Sequence, residues 1–483
     1  MIAFGVCIGS WEKYERYART ALQRCAEPDS PVAESSGNAS IFTAYNEMLD
    51  AYAQLPDIEA LVLLHDDVEL RDEAFARKVR EALGDPDVAV LGVIGARGVT
   101  GLEWWEGEGV GRCSEGRGVI DFGSRTGDAD AVDGLLLVLS PWAIRNLRFD
   151  SDTFTGFHAY DVDIAFQARA AGKKVRVIDV DLHHHTMGGY GDEIGFRLAD
   201  AAFRRKWGLP TGRVTQPADC PVCGTQLVAG PRREAFEVEL CPECGLGATF
   251  PAPTIAAESD EIWAQTYGGT RLARQAQWIH EAQLRVTWLQ LHVPDGRLLE
   301  VGSGTGEFVA VAQKLGFDAY GVEPSDWAAQ HARRIGARVS SVDLQTLRRE
   351  HPGVQFDVVV AFHVFEHLHE PRTFLREAHQ ILASGGVLAL EVPNFDSVLA
   401  RRHTFDWIGP ALDGHVHHFT AGSLIRLLAE EGFRVDEQLE FTSRIYDSAE
   451  VWEFKRGQWG KLGLTDAPKD MLRVVARTEK LPA

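Results

Sequence analysis

The sequence predicts an α/β protein with two open sheets and a small cysteine-rich unit between them. The clearest sign is residues 298–306, where an apolar strand ends and glycines at alternate positions precede a helical pattern. A doubly wound domain begins in this way. A second series of apolar strands and helical segments fills the first 212 residues, and two Cys-x-x-Cys pairs follow it. We expect domain boundaries at 1–212, 213–256, 257–291 and 292–483.

The composition is that of a globular protein with two or three domains. The chain has 483 residues, is 45% hydrophobic and 25% charged, and carries a formal net charge of −21. This charge argues against a nonspecific binder of nucleic acid or anionic membranes. No apolar run reaches the roughly 18 residues that a membrane span needs. The apolar segment 2–8 lacks a basic leader and is interpreted as a buried strand, so we expect a cytoplasmic protein.

An acidic pair follows a buried strand in the N-terminal part. Residues 60–64 are continuously apolar, as in a strand that is buried on both faces, and Asp66 and Asp67 come just after them. Open α/β sheets bind ligands at the carboxyl ends of their strands, where carboxylates can hold a divalent ion on a diphosphate. A helix cap or a solvated loop explains such a pair equally well. Residues 88–96 are expected to form a further strand.

Four motifs in this order resemble the family 2-like glycosyltransferases of GT-A fold, over about residues 1–205. They are found at 65–68, 133–137, 157–163 and 184–189. The resemblance implies a nucleotide-sugar donor with Mg²⁺ or Mn²⁺ and a carbohydrate or glycoconjugate acceptor.

The same resemblance assigns roles to single residues. It implies that Asp67 binds the metal, that Asp161 deprotonates the acceptor hydroxyl, and that His184 or its neighbour His185 contacts metal or diphosphate. The acidic motif is Asp-Asp-Val rather than Asp-x-Asp, and Tyr160 stands where many relatives have an acid. Metal dependence is therefore open, and the histidines also fit a surface cluster.

The cysteine pairs predict a zinc ribbon. Cys220 and Cys223 are separated by 17 residues from Cys241 and Cys244, a spacing typical of a four-thiolate Zn²⁺ site. Residues 236–240 alternate like a strand that leads into the second pair. Four protein ligands leave no open position, so we expect this zinc to be structural. Redox-active pairs are the alternative interpretation.

The glycine turn resembles that of the class I S-adenosylmethionine-dependent methyltransferases, in which a zinc ribbon often precedes the catalytic domain. An acid lies 21 positions after the first glycine, which suits a pair of ribose hydroxyls. The resemblance implies that S-adenosylmethionine is bound by Glu300, Gly302, Gly304, Gly306, Glu323 and Asp343. Of these, Asp343 is expected to contact the adenine. Residues 257–291 are expected to form helices over this site. Their expected buried contacts are Trp263, Tyr267, Trp278, Trp288 and Leu291.

Histidines and an acid follow the next apolar strand, 356–362. His363, Glu366 and His367 also match the His-x-x-Glu-His string of some zinc proteases, but here the string leaves a strand and does not lie inside an amphipathic helix. We interpret His363 and Glu366 as cofactor-side residues and His367 as a candidate general base, with a packing histidine as the alternative. The resembled family places the position of His415 at the acceptor. Residues 446–470 are expected to be an acceptor-side insertion.

The expected function is that of a bifunctional enzyme of bacterial glycan or glycoconjugate assembly. One part transfers a sugar from a nucleotide donor, and the other transfers a methyl group to a sugar hydroxyl. A zinc-ribbon RNA methyltransferase is an alternative that the acidic net charge disfavours. A second alternative is a methyltransferase whose N-terminal domain binds carbohydrate without catalysis.

Overall fold

The computed structural model describes residues 1–186, 189, 191–210, 218–233, 236–253, 260, 268–402, 404–405, 414–442 and 469–479. The chain divides into two compact units, Met1–Val214 and Thr215–Ala483. None of the helices in the described ranges is long and apolar enough to cross a membrane.

The N-terminal unit is a mixed α/β unit with two sheets. Its strands are β1 (Ile2–Ile8), β2 (Val32–Ser36), β3 (Ala60–His65), β4 (Val68–Leu70), β5 (Val88–Gly92), β6 (Ile94–Arg97), β7 (Glu108–Glu115), β8 (Gly118–Asp121), β9 (Gly127–Ala129), β10 (Ala131–Val132), β11 (Leu136–Leu139), β12 (Lys174–Val177) and β13 (Leu182–His184). Its α-helices are α1 (Trp11–Tyr14), α2 (Thr20–Cys25), α3 (Ile41–Ala53), α4 (Phe75–Leu83), α5 (Pro141–Asn146), α6 (Tyr160–Ala170) and α7 (Glu193–Trp207).

The main sheet of this unit has the strand order β2-β1-β3-β11-β5-β12-β9, and a second sheet has the order β10-β6-β7-β13-β4. β3 is the expected strand with both faces buried, because every residue from Ala60 to Leu64 is 0% exposed. The segment 88–96, expected as one strand, instead forms β5 and β6 in different sheets. Gly95 in β6 permits the close approach of β10, since a Cβ there would lie 2.2 Å from the carbonyl oxygen of Ala131.

The C-terminal unit contains the cysteine-rich part and a doubly wound sheet. Its strands are β14 (Arg232–Arg233), β15 (Phe236–Leu240), β16 (Gly247–Phe250), β17 (Gly296–Val301), β18 (Phe317–Val322), β19 (Val339–Ser340), β20 (Phe356–Phe362), β21 (Leu382–Pro393), β22 (His417–His418), β23 (Phe433–Phe441) and β24 (Met471–Thr478). Its α-helices are α8 (Gly268–Ala273), α9 (Gln275–Leu289), α10 (Glu307–Lys314), α11 (Asp326–Arg334), α12 (Leu344–Glu350), α13 (Pro371–Ile381), α14 (Val398–Arg402) and α15 (Ala421–Glu430).

The large sheet of this unit has the order β19-β18-β17-β20-β21-β24-β23. β17 is parallel to both β18 and β20, while β24 runs antiparallel to β21 and β23. The chain reverses its direction of winding between β17 and β20, and such a switch point opens a crevice at the carboxyl ends of the two strands. The loops after β17 and β20 therefore lie where a ligand is bound in this fold class.

Several local expectations are wrong. Leu291 is 79% exposed, because it lies beyond the end of α9. The strand 236–240 is present as β15, but its burial does not alternate as the sequence does, because both its glutamates are buried. Glu237 accepts hydrogen bonds from the Gly230 amide and from Arg232, which satisfies its carboxylate. Trp263, Tyr267 and residues 446–468 lie outside the described residues.

Candidate active sites

In the N-terminal unit, strand pairing brings four polar side chains to one edge of the main sheet. His65 ends β3, and Asp67 follows in the turn. β11 is antiparallel to β3, so Asp133, which precedes β11, lies at the same edge. β13 pairs with β4 so that His184 stands opposite Val68, which places its ring beside this turn.

Asp67 is the centre of this group. Its Oδ1 lies 3.1 Å from Nε2 of His184, and its Oδ2 lies 2.9 Å from Nζ of Lys13. Burial opposes ionisation of Asp67, but His184 and Lys13 hold the pKa of its carboxyl well below the usual range. Asp66 has a different environment, because its Oδ2 accepts hydrogen bonds from the amides of Gly9 and Ser10 at 2.9 and 2.7 Å.

The three histidines of β13 and its end separate in the structure. His183 is bonded through Nδ1 to Oγ of Ser114 at 2.8 Å, and His185 stacks on Tyr17 with ring centroids 3.6 Å apart. Only His184 faces Asp67. The following Met187 and Gly188 of the sequence motif lie outside the described residues.

A divalent ion fits this group of side chains. One ligand atom each of His65, Asp67 and His184 lie within 4.8 Å of one another, and imidazole with carboxylate is a common donor set for first-row dications. The ion would share Asp67 with Lys13. His65 and Lys13 were not expected as site residues, and the sequence gives little sign of either, because each joins the group only through the pairing of distant segments.

Asp161 lies in the first turn of α6 and is partly buried. Its Oδ2 accepts a hydrogen bond from the Gly134 amide, and its Oδ1 accepts one from the Val162 amide, both at 2.9 Å. Burial and the neighbouring Asp133 raise the pKa of Asp161 to about 7. A carboxyl with this pKa can take up or release a proton near neutral pH, which a general base requires. The hydroxyl of the adjacent Tyr160 lies 2.6 Å from Nε2 of His65. Asp161 is therefore next in sequence to a residue that contacts the group of His65, Asp67 and His184.

The four cysteines of the C-terminal unit converge. Sγ of Cys220 and Cys244 are 3.6 Å apart, those of Cys223 and Cys241 are 3.4 Å apart, and all four lie within 4.8 Å of one another. A tetrahedral site with Zn–S bonds of about 2.3 Å has sulfurs roughly 3.8 Å apart. The cluster therefore fits Zn²⁺, and it leaves no position for a substrate.

The ribbon is joined to the doubly wound part by backbone pairing. β16 is antiparallel to β22, with Gly247 opposite His418 and Ala248 opposite His417. Oγ1 of Thr420 donates to the carbonyl of Cys244 at 3.2 Å. The metal cluster thus supports the segment that carries His415, a connection that the sequence did not indicate.

The glycine turn after β17 has the backbone that its sequence predicts. Gly302, Gly304 and Gly306 have φ of 68°, 51° and 82°, the left-handed region that side chains disfavour. A Cβ on Gly306 would lie 2.5 Å from Cβ of Ala332. The turn is tied to β18 by Glu323, whose Oε2 accepts from the Gly304 amide at 2.8 Å.

Glu300 is a buried acid without a hydrogen bond at one oxygen. The residue is 6% exposed, and its Oε2 has no partner among the described residues. Burial raises the pKa of its carboxyl well above the usual value. An unpaired buried acid is costly unless a ligand supplies a charge or a donor. S-adenosylmethionine carries a sulfonium and an ammonium group, so the site fits this cofactor.

Asp343 does not lie in the turn. It is exposed and caps α12, where its Oδ1 accepts from the Thr346 amide at 2.7 Å. Its contact with adenine stays a prediction.

His363 is held between two acids after β20. It has a φ of 57°, and its Nε2 lies 3.0 Å from Oε1 of Glu391. Its Nδ1 lies 3.4 Å from Oε1 of Glu366. Burial lowers the pKa of His363, but the two acids outweigh burial and raise it. Glu391 is 0% exposed and is also bound by Arg285 and Arg473. None of these three residues is expected at the site from the sequence.

His367 and His415 meet beside Glu366. Their rings are 4.7 Å apart, edge to face, and Nδ1 of His367 lies 2.9 Å from the carbonyl of Gly414. Burial lowers the pKa of His415 to about 4, so its ring is neutral at pH 7. His417 and His418 are instead bonded to the Leu368 carbonyl and to Oγ1 of Thr249. His415 alone of this trio is directed toward Glu366.

The two units together have the folds of a nucleotide-sugar transferase and a class I methyltransferase. A family model described as glycosyltransferase-like family matches residues 3–187, and one described as methyltransferase domain matches residues 271–438. The chain is 38% identical over 191 residues to the streptomycin biosynthesis protein StrF of Streptomyces griseus, which covers 39% of this chain and 68% of that protein. The chain therefore belongs to the glycosyltransferase-like family and carries, in addition, an S-adenosylmethionine-dependent methyltransferase domain.

The methyltransferase part has its own relatives. It is 27% identical over 168 residues to a probable S-adenosylmethionine-dependent methyltransferase of Mycolicibacterium smegmatis, covering 35% of this chain and 63% of that protein. The chain thus spans less than two thirds of that relative. A solved structure of an S-adenosylmethionine-dependent methyltransferase from Thermotoga maritima aligns with a TM-score of 0.33 and 20% identity, over 45% of this chain and 98% of that chain.

Proposed function

We propose that the chain is a bifunctional transferase of bacterial carbohydrate assembly. The N-terminal unit moves a sugar from a nucleotide donor, and the C-terminal unit moves a methyl group to a sugar hydroxyl. The observation that supports this most is that each unit has its own group of buried acids and histidines at the carboxyl ends of parallel strands. The proposed parts remain 1–212, 213–256, 257–291 and 292–483.

In the sugar-transfer half, Asp161 acts as the base on the acceptor hydroxyl. With a pKa near 7 it can remove the proton that makes a hydroxyl a poor nucleophile. Asp67, with His184 and His65, would hold a divalent ion that offsets charge on the departing diphosphate. Of the two expected ions, Mn²⁺ suits these two imidazoles better than Mg²⁺ does. Lys13, 2.9 Å from Asp67, adds a fixed positive charge at the same place.

In the methyl-transfer half, the glycine turn and two acids hold the cofactor. S-adenosylmethionine supplies a methyl group activated by its sulfonium. Glu300 would balance the cofactor's positive charge, and Glu323 would bind the ribose hydroxyls. His367 and His415 lie after the neighbouring strand β20 and beside β22, where they face the acceptor.

A second candidate for the acceptor is a small aminoglycoside-type molecule. The identity of 38% to a protein named for streptomycin biosynthesis favours it over a polymeric glycan. The net charge of −21 disfavours RNA as acceptor.

The test is a pair of assays on the full-length chain. One assay supplies a panel of nucleotide sugars with Mn²⁺, and the other supplies S-adenosylmethionine with sugar acceptors. Mass spectrometry identifies the products of each. Asp161→Asn should reduce sugar transfer at least 100-fold and leave methyl transfer intact, while the exposed control Asp152→Asn changes neither. Sugar binding without any transfer by the wild type would support the non-catalytic alternative.

A further inference from the structure

The methyl-transfer site contains a buried acid, Glu366, whose one close cation is His363 at 3.4 Å within the described part of the chain. Glu366 is 1% exposed, and neither of its carboxylate oxygens makes a hydrogen bond within the described part of the chain. The nearest nitrogens are Nδ1 of His363 at 3.4 Å and Nε2 of His415 at 4.0 Å. An ionised carboxylate in such a place requires a cation or donors to compensate its burial.

Two histidines lie beside Glu366 and carry nitrogen atoms of the kind that bind metal ions. Ligand atoms of Glu366, His367 and His415 lie within 4.8 Å of one another. Nδ1 of His415 is buried and also makes no hydrogen bond to the described residues. A bound dication would bring such atoms to roughly 3 Å separation with metal–ligand distances near 2.1 Å, which needs only small side-chain movements.

The tautomer of His367 is already suited to a metal. Its Nδ1 lies 2.9 Å from the Gly414 carbonyl and therefore carries the proton that it donates. This leaves a lone pair on Nε2. Metal-binding histidines are commonly oriented by such a bond from the other ring nitrogen to a carbonyl. The neighbouring His417 and His418 use their nitrogens to bind Leu368 and Thr249, so they do not compete.

We infer that Glu366, His367 and His415 bind a first-row transition-metal dication, and that this ion binds the acceptor through its hydroxyl oxygens. Three protein ligands leave open positions, unlike the four-cysteine cluster, and two imidazoles with one carboxylate favour Zn²⁺, Fe²⁺ or Mn²⁺ over Mg²⁺. The acceptor class is then a sugar with two adjacent hydroxyls, which can chelate one ion. This inference rests on the proposed function, because it assigns the ion to the methyl acceptor.

The ion would make the acceptor hydroxyl easier to deprotonate. A dication lowers the pKa of a hydroxyl that it binds, so the proton can leave to water without a strong base. The acceptor oxygen forms a bond to the methyl carbon, the carbon–sulfur bond breaks, and its electron pair stays on sulfur as a neutral thioether. The products are the methyl ether, S-adenosylhomocysteine and one proton.

The test is a Co²⁺ titration of the full-length chain with zinc kept in the ribbon. An Asp67→Asn background removes the acid of the other histidine–carboxylate group. We expect one Co²⁺ per chain, with visible ligand-field absorption that lacks thiolate charge transfer. Adding Glu366→Gln or His415→Gln should weaken this binding at least 100-fold. His369→Gln, an exposed histidine of the same segment, is the matched control and should leave it unchanged.

The outcomes separate the site from the reaction. The inference is overturned if the Asp67→Asn parent binds no Co²⁺. It is also overturned if Co²⁺ binding survives Glu366→Gln. The titration of the parent is decisive even where a further variant does not fold. Circular dichroism and thermal unfolding check that each variant keeps its fold. A bound ion without methyl transfer to any sugar diol leaves the site standing and contradicts the proposed function. Methyl transfer that persists after the ion is removed contradicts the metal's role alone.

Discussion

Asp161 is a residue whose local surroundings set its ionisation. The carboxyl faces Asp133 before β11, and the hydroxyls of Tyr45 in α3 and of its neighbour Tyr160 lie close enough to interact with its charge. Its two backbone hydrogen bonds lower the pKa only partly. The balance leaves an acid whose proton is bound more tightly in the folded state than in the unfolded one.

This imbalance makes stability depend on pH. Because the folded pKa is about 7 against an ordinary 3.8, the folded state binds more protons between these values, and stability falls as pH rises through that window. Asp161→Asn should abolish this fall. At pH 8 the free energy of unfolding of the variant should exceed that of the wild type by roughly 2–4 kcal/mol. Urea unfolding at pH 5 and pH 8 measures it. Equal pH slopes for the two proteins would contradict the assigned environment.

Glu391 is the second residue on which a site depends. It is 0% exposed and is bound by Arg285 and Arg473, with Nε of Arg473 at 2.6 Å. The same carboxylate holds His363. Removing one partner of a buried charged group leaves the others uncompensated, at a cost of roughly 3–5 kcal/mol.

Glu391→Gln should therefore lower the free energy of unfolding of the C-terminal unit by about 3 kcal/mol or more. The exposed Glu440→Gln, on the edge strand β23, should change it by less than about 0.5 kcal/mol. Chemical denaturation followed by tryptophan fluorescence distinguishes the two. Similar small effects would show that the arginines do not depend on Glu391.

The turn between β17 and α10 is the element that we propose to shape the cofactor site. Gly306 combines a φ of 82° with a neighbour 2.5 Å from any added Cβ, whereas Gly336 has a φ of 89° with open space around it. The two glycines thus share the backbone requirement and differ in packing.

Gly336→Ala should cost only the backbone strain, about 1–2 kcal/mol. Gly306→Ala should cost a further 1–3 kcal/mol, approximately, from overpacking, and it should weaken S-adenosylhomocysteine at least tenfold by moving the turn. Calorimetric titration and thermal unfolding of both variants provide the comparison. If both alanines behaved alike, the close packing on Ala332 would be refuted.

The zinc ribbon is an element that supports another one. β16 pairs with β22, and the Thr249 amide donates to the Val416 carbonyl at 3.0 Å. Removal of zinc with a chelator should release the cysteine turns and speed amide exchange in β16 and β22 at least tenfold. Hydrogen exchange followed by mass spectrometry detects this. Unchanged protection of β22 after zinc loss would contradict a supporting role.

At the scale of the whole molecule, the sequence predicted what depends on neighbours in the chain. Short sequence motifs were enough to predict the class of each unit, the cysteine cluster and the glycine turn with Glu300. Each of these features depends on residues that are close together in the chain. The family comparisons confirm both transferase classes. The roles of single residues stay predictions, though the structure brings Asp67 to His184, and Glu366 to His367 and His415.

What could not be predicted depends on distant pairing. Lys13 reaches Asp67 across 54 positions, and Arg473 reaches Glu391 across 82, so neither contact has a local signal. The ribbon's pairing with β22 is hidden for the same reason. The prediction for Leu291 was wrong for a local reason. Its apolar side chain indicated burial, but the helix ends before it.

The central claim is that one chain carries two independent ligand sites, one for a nucleoside diphosphate and one for the methyl donor. Calorimetric titration of the full-length chain with S-adenosylhomocysteine, and then with nucleoside diphosphates and Mn²⁺, tests it most directly. We predict one site for each ligand, with Asp67→Asn weakening only the nucleotide and Gly306→Ala weakening only S-adenosylhomocysteine. A wild-type chain that binds one ligand and not the other, or a single variant that abolishes both, would contradict the account.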